Sequence, residues 1–272
     1  MLFGGVVAVA AGVSVAALRR HGQAAAPPAP PPPPKPFRIV FPEGFTRAED
    51  AIRVRDVAKI AVRERHHRVR LSEASYLAAS RQAVVPCFGK AVHKNLEGFL
   101  FPATYDFVAT TTARQLVKSQ IRAFCRNWLK VNQAYARTKD LTPYDVLRIG
   151  SMVEEEAAVP HDRPLVAAVI YNRLHNRMEL GIDATLRYGL HIPPTQSITQ
   201  SELASNNPYN TRKLAGLPPT PIGNPGLASL QAAAHPAKVD YLYYVRIPGT
   251  HRHFFTASAT AFDQYLATHG YK

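Results

Sequence analysis

Three consecutive glutamates, Glu154, Glu155 and Glu156, follow Ser151-Met152-Val153 in a stretch whose apolar residues recur at helical spacing. At about 100° per residue, with Val153 as zero, Val146, Ile149, Met152, Val153 and Ala157 form one apolar arc. Glu156 falls at about 300°, inside that arc, and Glu155 near 200°, on the far side. A carboxyl held against aliphatic side chains loses hydration in its charged form, so its pKa rises and it can keep a proton to donate near neutral pH. Glu156 is therefore the candidate general acid. The competing reading of three adjacent glutamates is a solvated charge run, which asks nothing of the helix face.

The elements that must position this carboxyl can be read around it. Thr142 supplies an N-cap, Pro143 the first helical position and Asp145 the third, a strong start for the helix that ends at Glu156. Before it, Val117, Ile121, Phe124 and Trp128 make a core-facing stripe in a long helix over 111–131. Residues 37–107 begin with a β-branched stretch, Phe37 to Phe41, and a turn at Pro42-Glu43-Gly44. They continue with helical patterns near 46–61 and 72–81. After Glu156 the pattern predicts helices over 163–176, 227–234 and 257–268, a short helix capped by Thr199 and Glu202, and paired strands over 241–247 and 253–255. The turn-rich residues 177–226 read as long loops, which in a compact domain are usually functional. The fold class is α+β: a small N-terminal α+β lobe, 37–107, followed by a mixed α+β catalytic domain with long loops, 108–272.

Residues 1–18 carry no charged side chain and are just long enough to cross a hydrocarbon core of about 30 Å as a helix. They read as a transmembrane anchor, with a signal peptide as the rival. Arg19 and Arg20 follow the apolar stretch, so the positive-inside rule taken alone leaves the remainder in the cytoplasm. Residues 19–36 form a linker in which eight of the ten residues 27–36 are proline, a polyproline spacer. The net charge of +14 points to a polyanionic partner: nucleic acid, an anionic wall polymer or lipid head groups. Cys87 and Cys125 allow at most one internal disulfide, and either buried thiols or a bridge fits the sequence. No HExxH or CxxC occurs, and no metal or cofactor is expected.

A series of short motifs then narrows the function. In order they are Ser151-Met-Val-Glu-Glu-Glu-Ala157, Val169-Ile-Tyr-Asn-Arg-Leu174, Asp183-Ala-Thr-Leu-Arg-Tyr-Gly189, Asn207-Pro-Tyr-Asn-Thr211 and Gly216-Leu-Pro-Pro219. Pro221-Ile-Gly-Asn-Pro-Gly226, Ala232-Ala-Ala-His-Pro236, Tyr241-Leu-Tyr-Tyr-Val245 and His253-Phe-Phe255 complete the series. In this order, over residues 96–270, they resemble the endolytic murein transglycosylases, the MltG or YceG-like family. The resemblance implies a membrane-anchored enzyme with its catalytic domain outside the cytoplasm. Such an enzyme cuts the bond between N-acetylmuramic acid and N-acetylglucosamine in peptidoglycan strands, leaves 1,6-anhydromuramyl ends and terminates nascent strands.

The second Glu of the family's Ser-x-x-Glu-x-Glu pattern falls on Glu156. By type and motif, Asn172, Asp183, Thr185, Tyr209 and Asn210 are the candidate substrate-binding residues, each also able to cap a helix or fix a turn. His235 and His253 read as structural hydrogen bonders. Expected partners are the glycan strands, the cytoplasmic membrane and a peptidoglycan synthase, with no nucleic acid. Two departures stand out: Asp183-Ala184-Thr185 replaces Asp-Pro-Thr, and the LysM-like lobe is missing or reduced to the segment from Phe37. The rival readings are a non-catalytic peptidoglycan-binding module, which needs no acid on the apolar helix face, and a basic nucleic-acid-binding protein, which leaves the apolar N-terminus and the spacer unexplained.

Overall fold

The structure, a computed structural model, describes residues 1, 2, 4, 5, 36–66 and 68–271. The chain divides into two units, Met1–Pro34 and Lys35–Lys272. The expected anchor, save four residues, and the linker as far as Lys35 lie outside the described residues. Among the described residues no helix is long and apolar enough to cross a membrane.

Residues 37–107 close on themselves. The order is β1 (Phe37–Val40), α1 (Arg47–Arg65), α2 (Glu73–Ala79), the short strands β2 (Ala83–Val84) and β3 (Val92–His93), and β4 (Thr104–Phe107). β1 pairs antiparallel with β4, Phe37 opposite Phe107 and Val40 opposite Thr104. Each helix starts at a capping box. The Thr46 hydroxyl accepts from the Glu49 N–H while the Glu49 carboxylate accepts from the Thr46 N–H at 2.8 Å, and Ser72 and Ser75 repeat the arrangement. The long helix α3 (Ala113–Trp128) carries the expected stripe, with Val117, Ile121, Phe124 and Trp128 all buried. Cys125 of α3 is bonded to Cys87, in a 3-10 turn over Pro86–Phe88, with Cα atoms 5.4 Å apart. Of the two alternatives open in the sequence, the bridge is the one formed.

The remainder is mostly helical: α4 (Ala134–Arg137), α5 (Pro143–Glu156), α6 (Arg163–His175), α7 (Asp183–Leu190), α8 (Gln200–Leu203) and α9 (Leu227–Ala234). The hairpin β5 (Tyr243–Arg246) and β6 (His253–Thr256) follows, then α10 (Ala259–Thr268). α5 is the central helix, packed on α9 and α6. Gly150 permits the closest approach, since a Cβ there would lie 3.0 Å from a Leu230 methyl carbon of α9. The fold is thus α+β, with three two-stranded sheets among the described residues. α7 departs from the expected loop over 177–226. Its N-cap, Ile182, offers no side-chain hydrogen bond, so no capping signal marks its start.

One continuous apolar core runs from Ile39 to Ala234, and the loop 221–226 fastens its two ends together. Ser151 of α5 accepts from the Ile222 N–H at 3.0 Å. Asn224 accepts from the Leu100 N–H at 3.0 Å and donates to the Phe45 carbonyl at 2.8 Å and to Asp50 at 3.3 Å. Gly223 sits where a Cβ would lie 2.3 Å from the Gly44 carbonyl oxygen, a contact only glycine allows.

Asp50 is 1% exposed, and burial, with Glu97 nearby, pushes its pKa up to about 8. Tyr76 has one hydroxyl proton, and its 2.7 Å contact with Gln120 Oε1 takes it. The 3.2 Å contact between Tyr76 and Asp50 then suits a protonated Asp50 donating to the phenol oxygen. An aspartate whose folded-state pKa is about 8, against about 4 unfolded, holds its proton more tightly when folded. Its stabilising effect is therefore present at low pH and lost as pH rises from 4 to 8. Asp50→Asn should raise stability at pH 8.5 by on the order of 2 kcal/mol and change it little at pH 5. Thermal melts of both chains at the two pH values test this, and parallel pH dependence would overturn it.

Candidate active site

Glu156 is the last residue of α5, where the negative end of the helix dipole opposes a carboxylate. Its side chain is half-buried, and Tyr244 of β5 donates to its Oε2 at 2.9 Å. Burial pushes the Glu156 pKa up, the Tyr244 hydrogen bond pulls it back, Asp183 raises it and Arg212 lowers it, with a net rise. Asp183 opens α7 and is ion-paired with Arg212, both about half exposed. With Oε2 engaged by Tyr244, a proton carried by this carboxyl would sit on Oε1. The arrangement is one carboxyl whose pKa burial raises, one phenol orienting it, and an ion pair within electrostatic reach.

The neighbouring glutamates differ. Glu154 is pinned: it accepts from the Gly226 N–H at 2.9 Å and lies 3.8 Å from the Arg163 guanidinium, with only 8% of its side chain exposed. Glu155 keeps solvent contact, but its carboxyl lies against Gly44 and near Gly223, so it is not the freely solvated group that the helix wheel alone places on the far side. Its pKa also rises, from burial and then from the like charges of Glu49, Glu154 and Glu156. The wheel misses this because the neighbours come from the turn at Gly44 and the loop 221–226, not from α5.

Of the five expected substrate-binding residues, Asp183 alone is placed where its charge acts on Glu156. The structure engages the other four in scaffolding. Asn172 donates to the carbonyls of Val239 and Tyr241, each at 2.9 Å, tying α6 to the approach of β5. Thr185 is fully buried, donating to the Ile182 carbonyl at 2.7 Å and sharing a hydrogen bond with Thr211. Asn210, also buried, donates to the carbonyls of Leu203 and Ser205. The Tyr209 hydroxyl meets Thr220 at 2.8 Å, and its ring packs on Tyr188.

His253 bonds Asp162 through its backbone N–H at 2.8 Å and its Nδ1 at 2.9 Å, and its ring stands edge-on to Tyr244 at 5.5 Å. Burial pushes the Asp162 carboxyl up, but hydrogen bonds from His253 and His161 hold it below the usual range. Sequence patterns alone do not single out Tyr244, Arg212 or Asp162. Tyr244 lies inside the quoted Tyr241–Val245 motif, and only β5–β6 pairing turns it toward α5. Among the described residues no three His, Cys, Asp or Glu side chains are disposed to hold a metal ion.

Tyr244→Phe should raise the Glu156 pKa further, because a bond stabilising the carboxylate is lost. If Glu156 must be protonated to act, the alkaline limb of the rate profile should move to higher pH. kcat should fall about tenfold from the less constrained carboxyl, with KM nearly unchanged. A pH–rate profile identical to the parent's would remove Tyr244 from the site.

Residues 15–268 match the family model described as the YceG-like family, and the chain belongs to that family. It is 37% identical over 161 residues to the endolytic murein transglycosylase of Bacillus subtilis, covering 58% of this chain and 44% of that protein. It is 30% identical over 190 residues to the protein of the same name from Streptococcus pneumoniae R6, covering 68% of this chain and 34% of that one. The matched stretches thus span less than half of each of these relatives. A crystal structure of a YceG-like protein from Listeria monocytogenes superposes with a TM-score of 0.70 at 29% identity, covering 84% of this chain and 75% of that one.

Proposed function

We propose that this chain is a lytic transglycosylase acting within peptidoglycan glycan strands, with Glu156 as its single acid and base. Protonated Glu156 gives its proton to the glycosidic oxygen as the bond to muramyl C1 breaks. The carboxylate then takes the proton of the C6 hydroxyl as O6 bonds to C1, closing a 1,6-anhydro ring. The released sugar carries the donated proton, Glu156 is protonated again, and no water is consumed. In this reading the Asp183 carboxylate, whose charge acts on Glu156 and which is paired with Arg212, offsets positive charge developing at the sugar ring. The observation that carries this reading is the Glu156 carboxyl: raised in pKa, oriented by Tyr244, and set in a family whose curated relatives are named for this reaction.

In this reading the catalytic domain works outside the cytoplasm, tethered by residues 1–18, on newly made strands beside a peptidoglycan synthase. The Cys87–Cys125 bridge supports an oxidising compartment, where disulfides persist. The apolar stretch and proline spacer support tethering. Purified protein incubated with isolated glycan strands should release products one water lighter than hydrolysis products. Mass spectrometry decides. Predominantly hydrated ends would make the protein a hydrolase, and no products would favour a binding module.

A further inference from the structure

We propose that the face built by α3 and the β2–β3 hairpin docks on an anionic lipid surface, giving the folded domain a membrane contact of its own. Arg114, Lys118, Arg122 and Arg126 recur every fourth residue of α3, so they form one row with about 6 Å between neighbours. All four are exposed, and none has a carboxylate within ion-pair distance among the described residues. The sequence keeps the region free of opposing charge: stretches 74–96 and 107–139 contain ten Lys or Arg and no Asp or Glu. The row forms one wall of a groove whose floor includes Ala78, Val117 and Ile121 and whose other side is β2.

Large aliphatic side chains stand out beside the cations. Leu129, at the end of the same groove, is 81% exposed; Val84 of β2 and its cross-strand partner Val92 are 42% and 56% exposed. A soluble polyanion would use the cations and leave these aliphatics in water. A protein partner would more usually meet aromatic anchors, which the groove lining lacks. Cations beside exposed aliphatics match a bilayer surface, where head-group phosphates face the former and the acyl boundary receives the latter. Lipids diffuse laterally, so the spacing of the row need not match a fixed repeat.

The test uses the full chain with Leu129→Trp as a local reporter, because Trp128, the natural tryptophan, is buried. Vesicles are phosphatidylcholine alone or with about one third phosphatidylglycerol. The introduced indole should shift to the blue and be quenched by brominated acyl chains only in the anionic vesicles, and salt should weaken the effect. Replacing the row by Gln (R114Q, K118Q, R122Q, R126Q) should lower the apparent affinity about 10²- to 10³-fold. Arg→Lys at 114, 122 and 126 should dock like the parent, which separates lost charge from lost fold. Residues 1–18 are common to every variant, so their own membrane affinity cancels in the ratio. The proposal is overturned by an unresponsive indole, by equal response in neutral vesicles, or by a response to soluble polyphosphate that vesicles do not elicit.

Discussion

Glu156→Gln should give a folded protein that has lost glycan cleavage, by about 10²- to 10⁴-fold, the usual cost of removing an acid–base group. The amide is nearly isosteric, and its oxygen can still accept from Tyr244, so the contact between α5 and β5 survives. It cannot give a proton to a leaving oxygen. Replacing a carboxyl that burial penalises should also leave the variant no less stable than the parent at neutral pH. Glu155→Gln should stay near parental activity, since that side chain faces Gly44 and solvent and not Tyr244. Glu154→Gln should act on stability, because it weakens the pairing with Arg163 that helps fix loop 221–226 to α5. Initial rates of the three variants on isolated strands, with circular dichroism as the check on folding, separate these roles. Loss of activity in Glu155→Gln with retention in Glu156→Gln would transfer the acid to Glu155.

The helices were legible where local chemistry is self-contained. Thr142, Pro143 and Asp145 announce the start of α5, and the structure shows that capping box in full, with Asp145 accepting from the Thr142 N–H at 2.8 Å. The apolar arc of α5 is likewise a property of one helix, so Val146, Ile149, Met152 and Val153 could be placed in the core without knowing what covers them. What could not be read is what other segments bring. Tyr244 reaches Glu156 from a position 88 residues later, and the crowding of Glu155 comes from Gly44 and Gly223. Asn172, Thr185 and Asn210 show the reverse limit: their types suit a sugar, yet backbone carbonyls laid beside them by the fold engage their donors. Asp183 is distinguished from them by standing at a helix start with its carboxylate half exposed. α7 is illegible in the sequence for a related reason, since no side-chain cap marks its start and its buried residues are Thr185 and Leu186.

Removing the disulfide, with Cys87→Ala and Cys125→Ala together, should cost about 4 kcal/mol of stability, the loop entropy released to the unfolded chain when a link closing about 38 residues is cut. For a folded unit of this size that corresponds to a fall in Tm of roughly 8–15 °C. The native contacts around the bridge do not depend on it. Phe88, next to Cys87, packs on Phe99 at 5.0 Å and on Trp128 at 4.8 Å, so the turn stays seated on α3 after the bond is gone. Activity at low temperature should therefore survive, because Glu156, Tyr244 and Asp183 are held by α5, β5 and α7. Denaturant titrations of the oxidised parent, the dithiothreitol-reduced parent and the double variant should give one high midpoint and two matching low ones. The same comparison bears on the compartment: parent protein made in a reducing cytosol should unfold with the low midpoint, and protein exported before folding with the high one. Coincident midpoints for all three samples would mean that the aromatic cluster, and not the bond, holds this corner of the fold.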